Sequence, residues 1–375
     1  MVKKVLHLLI AIAVGLMSVS GVANATPAGG KCSKAGITRK NSGTTYTCKK
    51  FRKKLVWVQT TATSTNTTTT SAPAKPDTTL WAKYNWTKPV SAAEVIDAAT
   101  ISFTSYVSIK RSPSGSVKVI AQEGVDATFI DWVTRTSDLV AKSFSYPALS
   151  KQFIDIIATD RAWFKSTMES NGFSTGEVSV RLAAFDSGSP ANGGRTANQF
   201  NWGVILKNNV MVVNKSGMMQ LGGHEFFHAV QAGNAERDND PDGAFVPNWF
   251  WEGPAMFVGL QTANNLGLLD YASVGQKVGR DRLNSSADVS IATRKLLLSQ
   301  VIANDPKIID PYGVGQIATE FLVAKIGVEK MIKIYEEIKT LKSFPSAFES
   351  ATGVELADFY AMFEEVRATL GAARG

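Results

Sequence analysis

The amino-acid sequence predicts a mostly helical α+β protein, and three observations carry that expectation. Apolar residues recur at the three-to-four-residue spacing of amphipathic helices through most of the C-terminal three quarters of the chain. Alternating β-branched runs are few and short there. A Thr/Ser/Ala/Pro tract over 59–79 separates this region from a small basic segment that holds both cysteines. About 295 residues follow the tract, enough for one large core or two packed ones.

The elements follow in order. Residues 1–25 read as a secretory signal: Lys3 and Lys4, an apolar core from Val5 to Val22, then Ala23-Asn24-Ala25 as a cleavage site. The apolar run is short for a membrane span and is broken by His7, Ser18 and Ser20. Export favours disulfides, so Cys32 and Cys48 are expected to form one bridge in a small β module over 26–58. Within it, Tyr46–Cys48 and Leu55–Val58 read as two strands of a hairpin.

Charge is unevenly placed. Residues 26–75 hold ten Lys or Arg and no acid, whereas 76–375 hold 28 basic and 32 acidic residues. The formal net charge of +8 therefore belongs to the leader and the small module. Lys49, Lys50, Arg52, Lys53 and Lys54 could bind an anionic cell-wall polymer, or could simply keep a short module soluble. Nucleic acid is a poor partner for an exported chain.

In 80–375 the pattern divides into a helical part, 80–175, and a part over 176–375 that carries the chemistry. Helical spacing appears around 91–108, 126–142, 148–168, 217–232, 252–264, 285–303, 312–326, 328–340 and 355–370. Strands are expected at Val178–Ala184, Trp202–Leu206 and Val210–Val213, the last two joined by a turn at Lys207–Asn209.

The most informative stretch is Leu221–Gln231, which contains His224-Glu225-Phe-Phe-His228. On a helix, positions i and i+4 share one face about 6 Å apart, so both imidazoles can reach one Zn²⁺. Glu225, beside the first ligand, is then the candidate general base for an attacking water. A catalytic zinc needs a third protein ligand and an open fourth position. Glu252, set among Trp249, Phe250, Trp251, Ala255, Met256 and Phe257, is costly to bury unless a cation meets it.

These blocks resemble the gluzincins, the peptidase MA-like zinc metallopeptidases that include thermolysin and the zinc aminopeptidases. The resemblance spans roughly 200–340 and rests on His224-Glu225-x-x-His228, on Trp249-Phe-Trp-Glu252-Gly253-Pro-Ala255, and on Tyr312-x-x-Gly315 running into Phe321. It implies zinc on His224, His228 and Glu252, Glu225 as base, and Tyr312 as the hydroxyl that stabilises an oxyanion. It also implies a gluzincin-type domain with a small sheet over the H-E-x-x-H helix and a peptide or protein substrate.

Two departures bear on this. The Gly-x-Met-Glu-Asn string of the aminopeptidase branch is absent, so exopeptidase specificity has no support in the sequence. Met256 stands where thermolysin-like members place an Asp that orients a ligand histidine, so that partner has to come from elsewhere. Asp238-x-Asp240-x-Asp242-Gly243 matches the first half of a calcium loop, but Trp249 replaces the twelfth-position Glu, and a solvated acidic turn is the competing reading. The expectation is thus a secreted zinc peptidase. Its alternatives are a cell-envelope binding protein with a vestigial peptidase domain, and a zinc amidase acting on cell-wall peptides.

Overall fold

The structure is a computed structural model, and it describes residues 33–41, 44–51, 54–60, 79–109, 117–144, 153–186, 191–196, 199–205, 215–235, 246–302 and 309–372. The chain divides into two units, 1–72 and 73–375, with the boundary inside the Thr/Ser/Pro tract. The signal segment 1–25, Cys32, the acidic turn with Asp238, Asp240 and Asp242, and the expected strand Val210–Val213 lie outside the described residues.

The first unit carries a three-stranded antiparallel sheet of β1 (Thr38–Asn41), β2 (Thr44–Phe51) and β3 (Lys54–Thr60). The expected hairpin is the β2–β3 pair, with Cys48 opposite Trp57. Cys48 is buried.

The second unit is mostly helical with one four-stranded sheet. Its strands are β4 (Val117–Ala121), β5 (Phe153–Ala158), β6 (Ala191–Thr196) and β7 (Gln199–Ile205), in the order β4-β5-β7-β6. The first three of that order are parallel, and β6 returns antiparallel along β7 as an edge. The helices of its first half are α1 (Thr79–Lys83), α2 (Ala92–Ser108), α3 (Ala127–Ser143), α4 (Arg161–Ser170), α5 (Thr175–Asp186), α6 (Lys215–Met219) and α7 (Leu221–Ala235). They are followed by α8 (Asn248–Asn265), α9 (Gln276–Asn284), α10 (Asp288–Arg294), α11 (Pro311–Leu341), α12 (Phe344–Thr352) and α13 (Leu356–Gly371).

Five expectations change. The stretch 178–184 is helical, not a strand. Ser174 Oγ accepts from the Glu177 amide while Glu177 Oε2 accepts from the Ser174 amide, a capping box that starts α5 whatever the β-branched residues prefer. Residues 148–168 are not one helix: Phe153–Ala158 is a parallel strand buried on both faces, so its side chains show no inward–outward alternation to read. A new helix then starts at α4, where the cap Asp160 accepts from the Trp163 amide. Among the described residues, 285–302 hold only the short α10 and a single 3-10 turn at Leu298–Gln300. The helix bearing Glu252 begins four residues early, at Asn248. The two helices expected over 312–340 run together as α11, broken only at Gly327, whose φ of 81° suits a residue without Cβ.

Helix α8 is the centre of this unit, gripped on two sides by backbone. A Cβ on Gly259 would lie 2.7 Å from the Gln220 carbonyl and 3.0 Å from the His224 amide, against α7. A Cβ on Gly253 would lie 2.4 Å from the Gly315 carbonyl, against α11. Helix α9 is fixed to α11 by a buried pair: Arg280 donates from Nη2 to Glu320 Oε2 at 2.7 Å and from Nη1 to Oε1 at 3.2 Å. Tyr271 also donates to Glu320 Oε1, at 2.5 Å. Gly315→Ala should therefore destabilise the protein by about 1–3 kcal/mol or more, since backbone rather than a flexible side chain must yield. Gly176→Ala, exposed on α5 with nothing nearer than 4.0 Å, should be neutral or slightly stabilising. Urea unfolding of the two variants checks the contrast.

Candidate metal centre

Helix α7 places His224 and His228 one turn apart, and α8 brings Glu252 across to them. His224 Nε2 and His228 Nε2 are 3.1 Å apart. Glu252 Oε2 lies 3.5 Å from the first and 3.3 Å from the second. Three donors bound to one ion at 2.0–2.1 Å with tetrahedral angles would stand about 3.3–3.4 Å apart. The triangle is the size of one face of such a site.

The tautomer of His228 follows from its neighbours. Pro254 has no amide hydrogen, so the Phe250 carbonyl one turn earlier loses its helical donor. Tyr335 of α11 supplies one, its hydroxyl reaching Phe250 O at 2.6 Å. With that proton committed, Tyr335 accepts from Gln231 Nε2 at 2.8 Å, and the same amide nitrogen donates to Trp251 O at 2.8 Å. Gln231 Oε1 must then face His228 Nδ1, 2.7 Å away. An amide oxygen only accepts, so Nδ1 carries the hydrogen and the Nε2 lone pair points at the triangle. Gln231 therefore supplies for His228 the orienting contact that Met256, buried in the core, cannot. Among the described residues, His224 Nδ1 has no such partner.

The electrostatics match a cation site. Glu252 Oε2 is buried and without a hydrogen-bond partner among the described residues. Burial pushes the Glu252 carboxyl upward, but the charge of His228 and the contacts of both histidines outweigh it and hold the group well below the usual carboxylate range. Burial likewise pushes His228 down, and Glu252 then Glu225 raise it above its ordinary value. The two imidazoles and one carboxylate form a group that could hold a metal ion.

No family model, no curated protein and no solved structure matches this chain. The centre has to be read from its own geometry.

Each candidate residue from the sequence that can be described stands at this centre. Glu225, half-buried on α7, acts electrostatically on His228, Tyr312 and Arg181. Tyr312, in the first turn of α11, stacks its ring on His224 with centres 6.1 Å apart. Burial is the main cause that raises its phenol far above the ordinary value, with Glu252 and Glu225 adding to it. The hydroxyl thus stays protonated and able to donate.

Four residues escaped the sequence. Trp251 stacks on His228, ring centres 5.2 Å apart. Gln231 was legible in principle, three positions after His228 on the same helical face. Arg181 is buried on α5 and was hidden by the strand reading. Burial pushes its guanidinium down to about 10, while Glu225 and then Glu177 pull it back up, so it is charged at neutral pH. Arg282 on α9 lies over the Tyr312 ring, 4.4 Å from its centre.

Replacing Gln231 with Leu should weaken metal binding about 10–100-fold, and Glu252→Ala should abolish most occupancy in a folded chain. Competition against a chelator measures both. The metal must displace a proton held on His228 more tightly than usual, so affinity should fall as pH drops from about 8 to about 6. An affinity that is flat over that range would remove His228 from the ligand set.

Proposed function

We propose that the protein is a secreted zinc-dependent peptidase of gluzincin type, with the Nε2–Nε2–Oε2 triangle of His224, His228 and Glu252 as the observation that carries the reading. A zinc ion there would supply Lewis acidity toward a substrate carbonyl and a water molecule at neutral pH. Glu225 takes one proton of the attacking water and passes it to the leaving nitrogen, so that C–N cleavage yields an amine and a carboxylic acid, and the acid's remaining proton then moves to the amine, leaving a carboxylate and an ammonium. Tyr312 donates its hydrogen bond to the carbonyl oxygen as negative charge gathers on it. Arg181 is a buried cation that interacts electrostatically with Glu225.

The sheet supports a peptide substrate. Edge strand β6 packs against α7, and among the described residues it is paired on one side only, with β7. An extended chain can add to such an edge, its backbone amides and carbonyls completing the ladder above the metal ligands. The absence of any aminopeptidase-like amine-binding string agrees with cleavage inside a chain.

The first unit fits export. Buried Cys48 is not a free thiol, which supports a Cys32–Cys48 bridge, and exposed Lys49 and Lys50 beside it suit attraction to an anionic cell-wall polymer.

Glu225→Gln should keep the metal and lose nearly all hydrolysis, because an amide cannot take the water's proton. Retention of more than about a tenth of the rate would remove Glu225 from its role. Tyr312→Phe should lower kcat by about 10²–10³ with little change in stability. A raised KM at unchanged kcat would mean that the ring only packs. Digestion of a proteome-derived peptide library by the zinc-loaded protein, with sequencing of the products, tests the reading as a whole. Cleavage that disappears in Glu225→Gln is expected, and an inert library would overturn the peptidase assignment.

A further inference from the structure

Arg282 is half exposed beside the metal centre, and its surroundings leave one side of its guanidinium free. Nε donates to Asp310 Oδ2 at 2.6 Å. Asp310 is nearly fully buried, and its other oxygen accepts from the Tyr312 amide at 3.1 Å. The anchor is therefore spent on both oxygens and rigid at the start of α11. The guanidinium lies over Tyr312, whose ring in turn stacks on His224. Helix α9, which carries it, is locked to α11 by the buried Arg280–Glu320 pair. Among the described residues the Nη groups of Arg282 have no hydrogen-bond partner, and nearly half of its side chain is open to solvent.

We infer that Arg282 forms an anion subsite that selects a substrate carboxylate on the residue flanking the scissile bond. The inference rests on the peptidase reading above. The planar fork, oriented by Asp310 and by the Tyr312 face, presents two parallel N–H vectors, which match a carboxylate rather than a single carbonyl. Stacking fixes the guanidinium before the ligand arrives, so little side-chain entropy is lost on binding. Charge around the centre agrees. With a divalent ion held, the ion, Arg181 and Arg282 outweigh the three carboxylates of Glu225, Glu252 and Asp310. An acidic side chain beside the cleaved bond therefore meets both a shaped donor pair and a favourable potential.

The test uses binding, so that turnover does not enter it. The full chain carrying Glu225→Gln and loaded with zinc is titrated calorimetrically with acetyl-Ala-Ala-Glu-Ala-Ala-amide and with its Gln counterpart. The Glu peptide should bind about tenfold or more tightly. Adding Arg282→Lys keeps a cation for Asp310 but removes the fork, and the ratio should fall toward one. Equal binding of the two peptides in the Arg282 protein overturns the inference on its own, even if the Lys variant fails to fold. A ratio that survives Arg282→Lys also overturns it, because the metal or another group would then hold the carboxylate. Failure of both peptides to bind would take the peptide-cleft reading down with it.

Discussion

The close approach of three helices through glycine is the constraint on which the centre depends. Helix α8 lies so near α7 at Gly259 and so near α11 at Gly253 that a single methyl group at either point would overlap backbone. Glu252 immediately precedes one of these contacts, and His224 stands opposite the other. Ligand spacings of 3.1–3.5 Å leave little tolerance for a shift of either helix. The same contact sets Tyr312, since Gly315, the residue that meets Gly253, lies one turn beyond it on α11.

Proline inside α8 plays a complementary part. Ordinarily it would leave a buried carbonyl unpaired at a cost of about 1–3 kcal/mol. Here the Phe250 carbonyl takes the Tyr335 hydroxyl, Tyr335 takes the Gln231 amide, and Gln231 fixes the ring of His228. A local break in helical hydrogen bonding thus becomes the support that orients a candidate metal ligand. The chain of contacts crosses three helices, which ties the chemistry of the centre to the packing of the domain.

How much of this the sequence displayed depended on whether the signal was local. The His224/His228 pair is legible because one helical turn places both rings together without any tertiary information. Glu252 stood out as a lone acid in an aromatic run, and Tyr312 as a hydroxyl-bearing ring opening a helix just after Pro311. The helices from α2 to α13 with a clear apolar stripe were legible for the same reason. Phe153–Ala158 was not, because a strand buried on both faces loses its alternation. Val178–Ala184 was misread because its β-branched residues outweighed the Ser174/Glu177 cap, and Arg181 went unseen with it. Arg282 had no local signature at all, since its role arises from α9 crossing α11. The glycines were visible as letters, but their partners, Gly259 with α7 and Gly253 with Gly315, are contacts that only the packing reveals.

The measurement that bears most directly on the central claim is zinc X-ray absorption on the purified full-length chain, with metal content determined on the same sample. The account predicts one zinc per chain, with two imidazole nitrogens and carboxylate oxygen at about 2.0–2.1 Å and one further light-atom ligand. A metal-free protein that does not take up zinc, or a spectrum showing sulfur ligands or fewer than two imidazoles, would contradict it.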